Sequence, residues 1–173
     1  MPLVHTTLAV RGHTPVLPHR ARQRDKVSVA AALTVSPRGG RLGLYFQTYP
    51  GAYVDGEAYA FFLRTLARQV RGPLVLVHDG GGMHKGPAVR AVELDFPGLS
   101  LNRFPAYAPE LNPVEGVWNH ARDKELANFV PDDVPQLDAA VRDSLGRASH
   151  DQDALRSCLL ATPLSWFGLT GLI

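Results

Sequence analysis

Residues 74–86 read LVLVHDGGGMHKG, and residues 104–118 read FPAYAPELNPVEGVW. The first stretch opens with Leu74 to Val77, a short, wholly apolar run of the kind found in strands buried in the middle of a sheet. Asp79 directly follows, so its carboxylate can project from the end of a rigid element. An Asp opening a glycine turn is common, so the position alone does not settle its role. In the second stretch Asn112 suits a helix cap and Pro113 a first helical residue. Glu115 lies three residues after the cap, where a capping-box carboxylate reaches back to the backbone. Alone, that is a well-built helix start. The pair is more telling. Asp79 at a strand end and Glu115 in a first helical turn are separated by 35 residues. Phosphoryl transfer with two magnesium ions needs hard oxygen ligands converging from separate elements, and carboxylates supply both oxygen and charge.

Outward from these stretches the chain alternates elements. Val27 to Val35 (VSVAAALTV) and Leu42 to Tyr49 (LGLYFQTY) read as a hairpin around the turn cluster at residues 36–40. Asp55 can cap a helix to about Arg71, with Tyr59, Phe62, Leu63, Leu66 and Val70 on one apolar face. Gly72-Pro73 breaks it. A helix is expected from about Lys85 to Leu94 and a strand over Leu99 to Phe104. From Pro113 a helix aligns Glu115, Trp118, Asn119 and Arg122 on one side. Two more helices are expected between about 131 and 161. The order predicts an α/β fold, a mixed sheet covered by helices.

The glycine run at 80–86 fails the phosphate-loop pattern, because Lys85 precedes Gly86 instead of preceding Ser or Thr. His78, Asp79 and His84 match no familiar zinc spacing, and the one cysteine, Cys158, lies far away. That single cysteine excludes an internal disulfide and suits a reducing compartment. No run approaches the roughly 18–20 apolar residues of a membrane span. A cytoplasmic, nucleoid-associated protein is expected. Net charge is +2, but residues 1–26 hold five Lys/Arg against one acid. Arg20, Arg22 and Arg24 could touch phosphates there, although a solvated loop explains the same charges.

The two quoted stretches together resemble the bacterial insertion-sequence branch of the mariner-type DDE transposases. In that family an Asp ends a buried strand with a His five residues on, and a Pro-x-Tyr-x-Pro-Glu-Leu-Asn-Pro-x-Glu loop delivers a final Glu. Asp79, His84, Asn112, Pro113 and Glu115 fall on those positions. The Arg-Gly-His-Thr-Pro stretch at 11–15, the hairpin and the Phe-bearing helix extend the likeness to about Leu126. The resemblance implies a fold similar to ribonuclease H and one catalytic domain over 1–173, with the motifs in about 11–126. It implies cleavage of DNA at transposon ends and joining to target DNA, with a two-ion Mg²⁺ or Mn²⁺ site. Asp79 and Glu115 would be the catalytic metal ligands. His84 and Asn112 would shape the site, and Lys85 and Arg122 would contact DNA. A homodimer, or a complex with a second transposase chain, is implied as well.

One departure qualifies this. The family's first catalytic Asp lies on a first strand, upstream of the Arg-Gly-x-Thr-Pro stretch. Residues 1–11 contain no Asp or Glu, Asp25 comes too late, and Asp55 and Glu57 sit at a helix start. The expectation is a fold whose first strand is incomplete or missing and a metal site short of one ligand. The chain is then a transposase fragment, inactive alone. Two alternatives are a non-catalytic DNA-binding or assembly module that regulates an intact transposase, and another ribonuclease H-like nuclease. The long loop argues against the latter.

Overall fold

The structure is a computed structural model that describes residues 11–13, 26–37 and 40–164. Val27–Val35 (β1) and Leu42–Pro50 (β2) form the antiparallel hairpin, in register from Val27 opposite Pro50 to Val35 opposite Leu42. Helix α1 spans Gly56–Gln69 and is capped by Asp55, whose carboxylate accepts the Ala58 N–H at 2.8 Å. Glu57 in its first turn and Arg68 in its last complement the helix dipole. Gly72, at φ 96°, then turns the chain into strand β3, Leu74–His78. A 3₁₀ turn (Gly82–His84) and helix α2 (Pro87–Asp95) lead to β4, Leu99–Arg103. β4 runs parallel to β3, from Leu74 opposite Leu99 to His78 opposite Arg103. After a 3₁₀ turn at Pro109–Leu111 come α3 (Val114–His120) and a π turn (Ala121–Glu125). The last two helices are α4 (Val134–His150) and α5 (Gln152–Leu160).

Helices cover the hairpin on both faces. Ala30 and Ala32 face a core built with Tyr59, Phe62 and Leu63 of α1 and Val92 of α2. Val29, Ala31 and Leu33 point the other way, onto a core containing Val117 of α3, Leu145 of α4 and Leu159 of α5. This strict alternation is the period-2 pattern of a strand between two layers. Two devices seat the last helices. Gln152 holds both backbone groups of Leu42, accepting its N–H at 3.0 Å and donating to its carbonyl at 2.9 Å. Gly116 lets α3 lie close against α5, where an added Cβ would come within 3.1 Å of both Cβ and Sγ of Cys158.

The expected single mixed sheet is divided. Among the described residues, β1 pairs only with β2 and β3 only with β4, giving two two-stranded sheets. β3 is correspondingly not the buried central strand its sequence suggests. Leu74 and Leu76 pack on the α1 side, but Val75 is 69% exposed and Val77 45%. The apolar run records what a covered strand requires, while the cover over its second face is not supplied by any described element. No helix among the described residues is long and apolar enough to cross a membrane.

Candidate active site

Asp79 follows β3 at its carboxyl end and is 65% exposed at the side chain. Its Oδ1 accepts two hydrogen bonds, from the Gly81 backbone N–H at 2.9 Å and from His84 Nε2 at 2.7 Å. These partners fix the carboxylate and leave Oδ2 for other work. His84, with 10% of its side chain exposed, packs edge-on against the Tyr59 ring at 4.2 Å and beside the His78 ring at 4.5 Å. His78 is held in turn by a 2.7 Å bond between its Nδ1 and the Asp79 carbonyl.

Burial pulls the His84 imidazole below its ordinary pKa. The neighbouring Asp79 charge works against that shift, and His78 adds to it. A neutral ring that donates from Nε2 leaves a bare Nδ1, and Nδ1 is buried without a hydrogen-bond partner. An unmatched lone pair in that pocket is less costly than the unmatched N–H of an imidazolium, so the geometry favours the Nε2–H tautomer. Tyr59 is driven strongly the other way. Burial, then the Asp79 charge, holds its phenol protonated far beyond the usual range.

Glu115 arrives differently. Asn112 Oδ1 accepts the Val114 N–H at 3.2 Å, and the Asn112 carbonyl accepts the Glu115 N–H at 3.1 Å. Pro113 is already helical, at φ −64° and ψ −18°, so Asn112 caps and Pro113 opens the helix as the sequence suggests, while the hydrogen-bonded helix α3 runs from Val114. The capping box is not made. The Asn112 N–H that Glu115 would accept donates instead to the Pro109 carbonyl at 2.9 Å. Glu115 is therefore exposed and free to serve another partner. Buried Val114 and Val117 anchor its helix on either side.

Asp79, His84, Asn112, Glu115 and Trp118 all line one cleft of about 1400 Å³. Lys85 is exposed next to His84. Arg122 lies in the π turn, where it donates to Asn119 Oδ1 and Asp123 Oδ1, each at 2.8 Å. Its own hydrogen bond to Asp123 and, more weakly, the charge of Glu115 raise its pKa. Arg20, Arg22 and Arg24 lie outside the described residues. Tyr59, His78 and Gly81 were not singled out by sequence as site residues. Tyr59 bears a core-helix pattern 20 positions before Asp79, and nothing local announces its contact. Gly81 was visible only as one of three consecutive glycines. An added Cβ there would lie 3.0 Å from Asp79 Oδ1 and 3.3 Å from His84 Cδ2.

Taken together, the fold is α/β, two small sheets flanked by helices in an arrangement resembling ribonuclease H, and one cleft carries a strand-end Asp and a helix-start Glu. Residues 3–138 match the sequence profile of the DDE superfamily endonuclease, and the chain belongs to that family. In structure it is similar to the Mos1 mariner paired end complex with Mn, with a TM-score of 0.55 and 16% identity over 94% of this chain and 52% of that one. It is equally similar to the Mos1 transposase paired-end complex with left transposon end, at 0.55 and 16%, over 92% and 51%. The chain thus spans about half the length of those transposases. It is 35% identical over 87 residues to the uncharacterized protein y4pE/y4sA of Sinorhizobium fredii, covering 49% of this chain and 62% of that protein.

Proposed function

We propose that the cleft joining Asp79 and Glu115 is a divalent-cation site for DNA strand cleavage and strand transfer, and that it needs a third acidic ligand from outside the described residues. The observation that carries this reading is the placement of two exposed carboxylates on one cleft, at a strand end and a helix start. The donor set suits Mg²⁺ or Mn²⁺, since both carboxylates offer hard oxygens. The ions would stabilise the charge on the attacking and leaving oxygens of a phosphodiester. Asp79 presents Oδ2, because Oδ1 is held by Gly81 and His84. His84 is a positioning residue, its Nε2 already committed to Asp79. Asn112 sets the helix start that delivers Glu115. Lys85, Arg122, Arg20, Arg22 and Arg24 supply positive charge for the phosphate backbone. Among the described residues no three His, Cys, Asp or Glu side chains converge to hold a metal ion. The two carboxylates therefore bind the cation weakly until a third joins them.

The partners in this reading are transposon-end and target DNA, on a homodimer or on a complex with a second transposase chain. The Mos1 complexes, one with Mn and one with a transposon end, lend it support. The test is nicking of supercoiled DNA by the purified chain in Mg²⁺ or Mn²⁺. No cleavage is expected, with Mn²⁺ binding that is lost in Glu115→Ala. Efficient cleavage abolished by Glu115→Ala would show that two carboxylates suffice and would overturn the three-ligand requirement. The lack of a third converging ligand among the described residues also favours a second reading, a DNA-binding regulator of an intact transposase. Salt-sensitive DNA binding with no Mn²⁺ affinity would select it.

A further inference from the structure

The cleft carries one aromatic ring that neither core uses. Among the described residues three aromatic side chains are exposed, Tyr53, Phe61 and Tyr107, and of these Tyr53 alone lines the cleft that holds Asp79 and Glu115. Its ring is 78% exposed although the Lys26 ammonium lies over one face, so the other face is open. The backbone holds this pair in place. Gly51, at φ 70°, donates its N–H to the Lys26 carbonyl at 2.9 Å, and Ser28 Oγ donates to the Ala52 carbonyl at 2.7 Å. The segment that carries Tyr53 is thus tied to the start of β1. Just beyond it, Gly56 opens α1 against the turn after Asp79, where an added Cβ would lie 3.7 Å from the Met83 carbonyl oxygen. Tyr53 and Lys26 therefore stand on the rim of the cleft, at the end where Asp79 sits.

An exposed cation–π pair contributes little to folding, so stability does not account for a large ring held in solvent. A ring on a pinned backbone with a cation beside it suits unpaired nucleic acid, because the ring takes the face of a base and the cation takes a phosphate. From this we infer that Tyr53 and Lys26 form a platform for one unpaired nucleobase of a DNA strand lying in the cleft, with Tyr53 stacked on the base and Lys26 paired with an adjacent phosphate. A base inside a duplex has both faces covered by its neighbours, so only an unstacked base fits the open face of Tyr53. The platform favours DNA that is open where it passes Asp79. It accepts any base, because every base offers a π face. The inference rests on the reading of the cleft as a DNA site and is independent of the metal.

The test uses the full chain in EDTA and an oligodeoxynucleotide carrying one 2-aminopurine, offered single-stranded or annealed into a blunt duplex. Stacking on an aromatic ring quenches the fluorescence of that base. The bound single strand is expected to be quenched and the bound duplex is not. Tyr53→Ala is expected to abolish the quenching and to weaken single-strand binding at least about fivefold, while Tyr53→Phe keeps both because it keeps the ring. Lys26→Ala is expected to keep the quenching and to lower the salt dependence of binding by about one phosphate contact. Quenching in Tyr53→Ala equal to that of the parent would overturn the platform and leave the DNA-site reading standing. So would a Tyr53→Phe chain that behaves like Tyr53→Ala, or a duplex bound and quenched as strongly as the single strand. Failure to bind either DNA at low salt would remove the DNA-site reading together with the platform.

Discussion

Asp79 is aimed through its side chain, Glu115 through its backbone. The Asp79 carboxylate is gripped by Gly81 and His84, with Tyr59 packed edge-on against the imidazole. Every grip but Tyr59 comes from within five residues. The Glu115 carboxylate is left open, while its helix is fixed by buried Val114 and Val117 and by the close approach of Gly116 to Cys158, 42 positions away. One carboxylate is pre-oriented and the other is pre-positioned. A site divided this way can hold one oxygen rigid while the second adjusts to whatever enters the cleft.

The contrast can be broken most directly at the carboxylates. Asp79→Ala and Glu115→Ala are each expected to weaken Mn²⁺ binding by at least tenfold, about 1.4 kcal/mol, by calorimetric titration. Glu115→Ala should leave the unfolding free energy within about 0.5 kcal/mol of the parent, as for other exposed positions. Unchanged Mn²⁺ affinity in both would remove the basis for pairing them. Gly116→Ala attacks the packing side, and overpacking there is expected to cost about 1–3 kcal/mol in urea unfolding. Cys158→Ala in that background should recover only part of the loss, because it removes Sγ and keeps the Cβ that also makes a 3.1 Å contact.

Gly81→Ala attacks the other side. The new Cβ would displace the Asp79 carboxylate, so a several-fold loss of Mn²⁺ affinity is expected with a stability change under about 1 kcal/mol. A large stability loss with normal affinity would reverse the assignment. His84→Phe keeps a ring beside Tyr59 but removes the bond to Asp79. Because Asp79 is mostly exposed, solvent screening holds the expected cost to about 1 kcal/mol or less. The smallest effect is confined to alkali. Tyr59 is held protonated in the folded chain far above the value of 10 at which it ionises when unfolded. Its contribution is complete below pH 10 and is lost as pH rises beyond that. Tyr59→Phe should therefore match the parent at pH 8 and lose less stability between pH 10 and 11.

The same division marks what the sequence could reveal. The hairpin, the Asp55 cap and the α1 face were legible because period and caps are local signals. Asp79 and His84 could be named together as candidates because strand, turn and histidine lie within one short stretch. Glu115 was placed, but its capping box was not made, since the Asn112 N–H was taken by a 3₁₀ turn beginning at Pro109. Tyr59 could not have been found, because its role depends on how α1 lies against the turn after β3. The buried character expected of β3 was read from composition alone, and composition does not reveal which faces a fold leaves uncovered.

Cys158 is the only cysteine in the chain, and it lies directly behind the helix that carries Glu115. Its thiol is partly buried, and burial raises its pKa, so reagents should reach its thiolate slowly while α3 and α5 stay together. The rate at which a disulfide reagent modifies it then becomes a clock for how often those helices part. Any ligand that tightens the Glu115 side of the cleft should slow that clock.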